Sequence, residues 1–174
     1  MYVGDPIKAA RQKKNLERIA FMVKDIVGNR TLDENMSQTV AESVLEAAKD
    51  QDREPLQAIW ASLLARIALG QAKNIRIDYF ETLKKFEPID AITFEVLSKQ
   101  ALVGRVFPVD MNGWKSVIDD IRHKAEVDQD DVYISLEALV QMDCAQRHPS
   151  HSLPMIGISR RGGKIYQAIQ PPQA

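Results

Sequence analysis

The stretch EPLQAIWASLLARIALG, residues 54–70, carries the strongest helical signal in the chain. Leu56, Ile59, Trp60, Leu63, Leu64 and Ile67 recur at intervals of three and four, which places them on one broad face of a helix. Ala58, Ala61, Ala65 and Ala68 fall among them, and side chains this small let a neighbouring helix approach closely. Gly70 closes the pattern. Trp60, in the middle of the apolar face, reads as a core anchor rather than a platform for a ligand.

Upstream of this helix, Leu16, Ile19, Ala20, Val23, Ile26 and Val27 form a stripe in a basic amphipathic helix from about Ile7 to Val27, ended by Gly28-Asn29. Met36, Val40, Val44, Leu45 and Ala48 predict a second helix from about Glu34 to Lys49, with Asp33 as its N-cap and Met36 as its first buried residue. The polar run Asp50-Gln51-Asp52 separates it from the third. Downstream, a short helix from about Asp78 to Phe86 turns Tyr79, Phe80, Leu83 and Phe86 inward. Pro88 reads as the first position of a further helix reaching about Lys99, with Ile89, Ile92, Val96 and Leu97 inside. Residues 101–112 hold Val103, Val106, Phe107 and Val109 with Gly104 and Pro108, and fit either a loop or a short extended piece.

From Gly113 the elements shorten. Trp114, Val117, Ile118 and Ile121 predict a helix at about 113–124. Asp128, Asp130 and Asp131 supply carboxylates for the start of a helix at about 131–142 carrying Val132, Leu136, Leu139 and Val140. Two short runs around a polar turn, within 143–158, read as a β-hairpin, and Ser159 caps a last helix with Gly162, Ile165, Tyr166 and Ile169. Helix, helix, helix, hairpin and closing helix is the order of a winged helix-turn-helix, here over roughly residues 88–169. The expected fold is therefore mainly α. A helical N-terminal bundle occupies 1–87, and a winged-helix-like C-terminal module with one short β-hairpin occupies 88–174. The two pack together or form one domain.

The 23 Lys+Arg and 24 Asp+Glu leave a net charge of −1, which argues against a uniformly basic nucleic-acid coat or an acidic disordered tail. The near-neutral total hides segregation. Residues 8–30 carry a net +5, 31–59 a net −5 and 101–143 a net −5, while the chain after Asp143 holds four bases and no acid. Such blocks read as solvated faces or as helices that complement one another, with a partner-binding surface as the sharper reading. The predicted reading helix contains Asp131 and Glu137 and no Lys or Arg, so a major groove would repel it and find no guanine-reading Arg. A winged helix used for packing or protein contact is favoured over one that binds DNA.

The candidate chemical sites resolve into structural readings. Cys144, His148 and His151 have the spacing C-x3-H-x2-H, which offers only three ligands and lacks a second Cys pair for zinc. A single Cys excludes an internal disulfide and fits a reducing compartment. His123, beside Arg122, reads as a surface residue. Arg161-Gly162-Gly163-Lys164 is not a phosphate loop, because Ile165 stands where Ser or Thr is needed. The glycine pair reads as close packing at the start of a helix. The Asp128-Asp130-Asp131 cluster lacks the Gly and distal Glu of a calcium loop. No Ser nucleophile elbow is present, and no catalytic, cofactor-binding or metal-ligating residue is assigned.

The helices also carry a family resemblance. Val44-Leu45-Glu46-Ala47-Ala48, an acidic gap, and Leu56 to Ala65 around Trp60 are similar to the pattern "LEAA" followed by "LxxxWAxLLA". The run Tyr79 to Ala91, containing Pro88-Ile89-Asp90-Ala91, is similar to "FxxxLxxLxPxDA". Asp5 to Asn15, with Arg11 and Lys14-Asn15, and Ile158-Ser159-Arg160-Arg161-Gly162, near a closing "LTxxG", extend the match. Residues 101–127 are unmatched, and Asn74-Ile75-Arg76-Ile77 departs from the family's His-Pro-like helix entry. In these segments the chain resembles the abortive-infection alpha family of bacterial helical proteins. The resemblance implies a role in phage defence; it does not imply catalytic residues, so none is carried over. The matched apolar positions Leu45, Leu56, Ile59, Trp60, Leu63, Leu64, Leu83 and Phe86 read as core.

The expected function is a non-enzymatic phage-defence interaction or sensor protein, acting by contact with a protein partner or with itself. The alternative is a winged-helix regulator that binds nucleic acid through its basic wing. Contacts are expected from Arg11, Lys13, Lys14 and Arg18 in the first helix, and from Arg147, Arg160, Arg161 and Lys164 in the wing and last helix. No cofactor, membrane or small-molecule substrate is expected. With no signal-peptide-like stretch at the start and no apolar run of membrane-spanning length, the cytoplasm is the expected compartment.

Overall fold

Asp5 starts the first helix. Its side chain accepts from the Ile7 N–H at 3.0 Å, and Pro6 takes the first helical position, where a missing N–H costs nothing. This computed structural model describes residues 5–73, 75–102, 104, 106–150 and 154–172. Among them are eight helices and one two-stranded antiparallel sheet. The chain divides into two compact units, one of residues up to 85 together with those from 168 onward, and one of residues 86–167.

In the first unit, α1 (Pro6–Val27), α2 (Gln38–Ala48), α3 (Glu54–Ala68) and α4 (Ile77–Leu83) pack together. Ile19 and Val27 of α1, Val44 and Ala48 of α2, and Phe80 and Leu83 of α4 are buried. With them are Leu56, Trp60, Leu63, Ala61, Ala65 and Ile67 of α3. Trp60 is fully buried and meets the Phe80 ring at 6.3 Å between centroids. Fully buried Ala61 and Ala65 let neighbours close onto α3, whereas Ala58 is exposed. Polar side chains finish helix ends. Asn15 Nδ2 donates to the Lys49 carbonyl just past α2 at 3.1 Å, and Arg30 Nε donates to the Val27 carbonyl ending α1 at 3.0 Å.

Three expectations for this unit need correction. The second helix starts four residues later than its pattern predicts. Ser37, not Asp33, is its N-cap, accepting from the Val40 N–H at 3.4 Å. Asp33 is occupied elsewhere: its N–H donates to the Ala68 carbonyl at 2.8 Å and its carboxylate accepts from the Asn35 N–H at 2.9 Å. Met36 thus precedes the helix and is exposed rather than its first buried residue. Leu45 is 40% exposed and not core, because the inner face of α2 is set by Val44, Ala47 and Ala48 and Leu45 lies one residue round from it. The fourth helix ends at Leu83, three residues short of Phe86.

In the second unit, α5 (Pro88–Leu102) packs against α6 (Met111–Ala125), α7 (Gln129–Gln141) and β2 (Ile156–Ile158), which pairs with β1 (Ala145–Arg147) in the register Ala145 to Ile158. The closing helix is α8 (Arg160–Ile169). The α6 stripe falls inward as its spacing predicts, with Trp114, Val117, Ile118 and Ile121 all buried. Asp110 caps α6 by accepting from the Gly113 N–H at 2.8 Å, and Asp128 caps α7 by accepting from Asp131 N–H at 3.0 Å. Phe94 of α5 meets Phe86 edge-on at 5.4 Å and Tyr166 of α8 edge-on at 5.9 Å.

The described part of 101–112 is not extended. The α5 helix continues to Leu102, and residues 106–110 form bends rather than a strand. This segment packs across β2: a Cβ on Gly157 would overlap the Val106 carbonyl and lie 3.0 Å from the Phe107 ring. That close approach accounts for a glycine in the centre of a strand.

Candidate functional site

The basic side chains of α1 face away from its core. Arg11, Lys13, Lys14 and Arg18 are all exposed, while Asn15 and Ile19 on the opposite side are buried. Lys13 pairs with Glu17 at 3.9 Å, within the same helix. The link from α1 to the acidic second helix is made by neutral groups instead. Gln12 Nε2 donates to Asp50 Oδ1 at 2.9 Å, and Asn15 reaches the Lys49 carbonyl. The charge of Arg11, Lys13, Lys14 and Arg18 is presented to solvent. Phe21 interrupts this face at 75% exposure, and Lys14, Glu17, Arg18, Phe21 and Met22 border an open depression of about 430 Å³.

The other four candidates divide by role. Arg147 Nη2 pairs with Glu137 Oε2 of α7. Arg161 Nη1 donates to the Met142 carbonyl at 3.1 Å, satisfying an orphan acceptor at the end of α7. Arg160 and Lys164 stand four residues apart on α8 and are exposed. Of the eight candidates, four lie along α1 in the first unit, and of the four in the second unit two are tied to α7.

Spacing alone missed a further surface. Tyr133 and Ile134 of α7 are 37% and 68% exposed, beside Asp130 and Glu137. The inward face, Val132, Ser135, Leu136 and Leu139, is buried. The outward face of the helix thus combines carboxylates with apolar side chains. A signal was present: Tyr133 and Ile134 lie off the Val132, Leu136, Leu139 stripe.

A buried polar cluster was missed as well. Asp90 Oδ2 accepts from the Glu87 N–H at 2.8 Å, a reciprocal cap with the Glu87 carbonyl, which accepts from the Asp90 N–H at 2.9 Å. The other carboxylate oxygen accepts from Ser135 Oγ at 2.6 Å, and Ser135 Oγ lies 3.1 Å from Thr93 Oγ1. Burial pushes the Asp90 carboxyl above its ordinary 3.8, with the bonds from Ser135 and Glu87 pulling the other way. Between its unfolded and folded pKa the native state holds the extra proton, so its contribution to stability is largest in acid and declines as pH rises through the folded value. Asp90→Asn should therefore gain on the wild type as pH rises from about 3.5 to about 7, read by urea denaturation at each pH. A difference independent of pH would show that Asp90 titrates alike in both states.

The remaining titratable candidates serve packing. Cys144 is buried, its Sγ donates to the Met142 carbonyl at 3.7 Å, and burial pushes its thiol up to about 12. His148 Nδ1 accepts from the Ser150 N–H at 3.0 Å, and its ring meets Phe107 edge-on at 4.8 Å. His123 is exposed, and His151 lies outside the described residues. A groove of about 560 Å³ along α5 and α6 is bordered by Lys99 and Lys124, which pair with Glu95 and Asp120 respectively.

Comparison with known proteins gives one family. The model described as abortive infection alpha matches residues 9–155. No curated protein and no solved structure matches the chain.

Proposed function

The chain belongs to the abortive infection alpha family, and from that premise we propose that it serves phage defence as a non-enzymatic protein acting through contact with protein. The observation that carries this reading is the outward face of α7, where Tyr133 and Ile134 are exposed beside Asp130 and Glu137. Exposed aromatic and aliphatic side chains next to charge are what a protein interface uses. The order α5, α6, α7, hairpin and α8 supports a winged-helix reading of the second unit, in which α7 takes the place of the reading helix. Carboxylates there disfavour a phosphate backbone. Two of the four bases available to a nucleic-acid interface, Arg147 and Arg161, are engaged with α7. No helix among the described residues is long and apolar enough to cross a membrane. The proposal assigns no catalytic residue.

The test is protection of cells challenged with phage, scored by plaque counts. Tyr133→Ser with Ile134→Ser should abolish protection while leaving the level of folded protein unchanged, since neither side chain is in the core. Retained protection would overturn the reading. In parallel, duplex DNA should not bind at low salt. Micromolar, salt-dependent binding that Arg160→Ala with Lys164→Ala weakens would favour a nucleic-acid regulator instead.

A further inference from the structure

Two helix faces in this chain are exposed, partly apolar and opposite in charge. On α1, Ile7, Arg11, Lys14, Arg18 and Phe21 follow one another at spacings of four and three, a single stripe about 21 Å long at the helical rise. Ile7 and Phe21 at its ends are 78% and 75% exposed. On α7, Asp130, Tyr133, Ile134, Glu137 and Gln141 make a stripe about 16 Å long, with no Lys or Arg in the helix, although Arg147 of β1 pairs with Glu137. Neither face suits its own copy. Two α1 stripes would bring bases together, and two α7 stripes would bring carboxylates together. Each suits the other in charge and length, and the exposed Phe21 ring gives Ile134 an apolar partner.

We propose that α1 of one copy docks on α7 of a second copy, so that the chain self-associates through unlike faces. This inference rests on the protein-contact reading above and names the partner. The contact joins unlike faces, so two copies either satisfy both pairs reciprocally about a two-fold axis or leave one face of each kind free for further copies. One helix pair buries less than an interface of standard size, so association is weak at low concentration and sensitive to salt.

The experiment is sedimentation velocity of the full chain over a range of concentrations, at about 50 mM and about 500 mM salt. Association that rises with concentration and weakens about tenfold in high salt is expected. Arg11→Glu with Lys14→Glu and Arg18→Glu should leave the chain monomeric, as should Asp130→Lys with Glu137→Lys. Circular dichroism confirms that each variant keeps its helices. An equimolar mixture of the two should associate again, because each reversed face then meets a complement. Ile134→Ser should weaken association with all charges kept. Carbodiimide coupling in a mixture of isotope-labelled and unlabelled wild-type chains should join Lys14 of one copy to Asp130 of another. A wild type that stays monomeric at low salt, a mixture that fails to associate, or couplings confined to α1 would each overturn the proposal. If the chain is monomeric while the α7 variants still lose phage protection, self-docking fails and contact with a different protein stands.

Discussion

Trp60→Ala is expected to destabilise the first unit by about 3–5 kcal/mol, the range for emptying a buried aromatic site. The indole is fully buried in α3 and tilted against Phe80 at an interplanar angle of 57°. Removing it costs both the transfer of a large apolar surface and the void left behind, because a helix flanked by α1 and α2 closes a cavity only in part. Trp60→Phe should cost less than half as much, since a ring still fills part of the space. The control is Leu45→Ala, which should cost about 1 kcal/mol or less because that side chain is 40% exposed. Both positions sit in the stretches that resemble the family pattern, so the pair separates a residue's place in a motif from its place in a core. Urea denaturation followed by far-ultraviolet circular dichroism reads all three. Equal losses for Trp60→Ala and Leu45→Ala would contradict the inner face assigned to α2.

The same contrast shows what the sequence makes legible. Trp114, Val117, Ile118 and Ile121 have an unbroken helical period with polar residues between them, so their inward face can be read without coordinates. In α2 the stripe is wide, and period alone does not say which edge meets the partner helix, so it places Leu45 on the wrong side. The choice between Asp33 and Ser37 as cap turns on a long-range bond from the Asp33 N–H to the Ala68 carbonyl, which no local window contains. In α5 polar residues are buried with apolar ones: Asp90, Thr93 and Ser98 lie inside, so hydrophobic periodicity fades there. The run Pro88-Ile89-Asp90-Ala91 nevertheless gains a physical account. Pro88 occupies the first helical position, Asp90 caps back to Glu87, and its second oxygen anchors α7 through Ser135. That stretch of the family-like pattern is a structural joint. The charge on α1 was legible as composition, but its presentation to solvent depends on Gln12 and Asn15, rather than the bases, facing α2.

Gly162→Ala and Gly163→Ala, adjacent changes in one helix, are expected to shift stability in opposite directions. Gly162 is the third residue of α8, and a Cβ there would run into the Cys144 carbonyl. That carbonyl cannot swing aside easily, because it accepts from the Ser159 N–H at 3.0 Å. Ser159 in turn donates its hydroxyl to the Asp143 carbonyl at 2.6 Å and accepts from the Gly162 N–H at 2.8 Å. The backbone leaving α7 and the start of α8 are thus held together at two points, and one methyl group at 162 forces them apart. A cost of about 3 kcal/mol is expected, at the upper end for overpacking. Gly163 has nothing within 4 Å of its would-be Cβ, so alanine there only restricts the unfolded chain and should stabilise by about 0.5–1 kcal/mol. Cys144 supplies the readout. Buried, with its thiol pushed up to about 12, it reacts with an aromatic disulfide only when this region opens. Labelling should therefore be faster than wild type in Gly162→Ala and slower in Gly163→Ala. Equal rates in the two variants would mean that α8 does not press on Cys144, and that Gly162 serves the chain only through its flexibility.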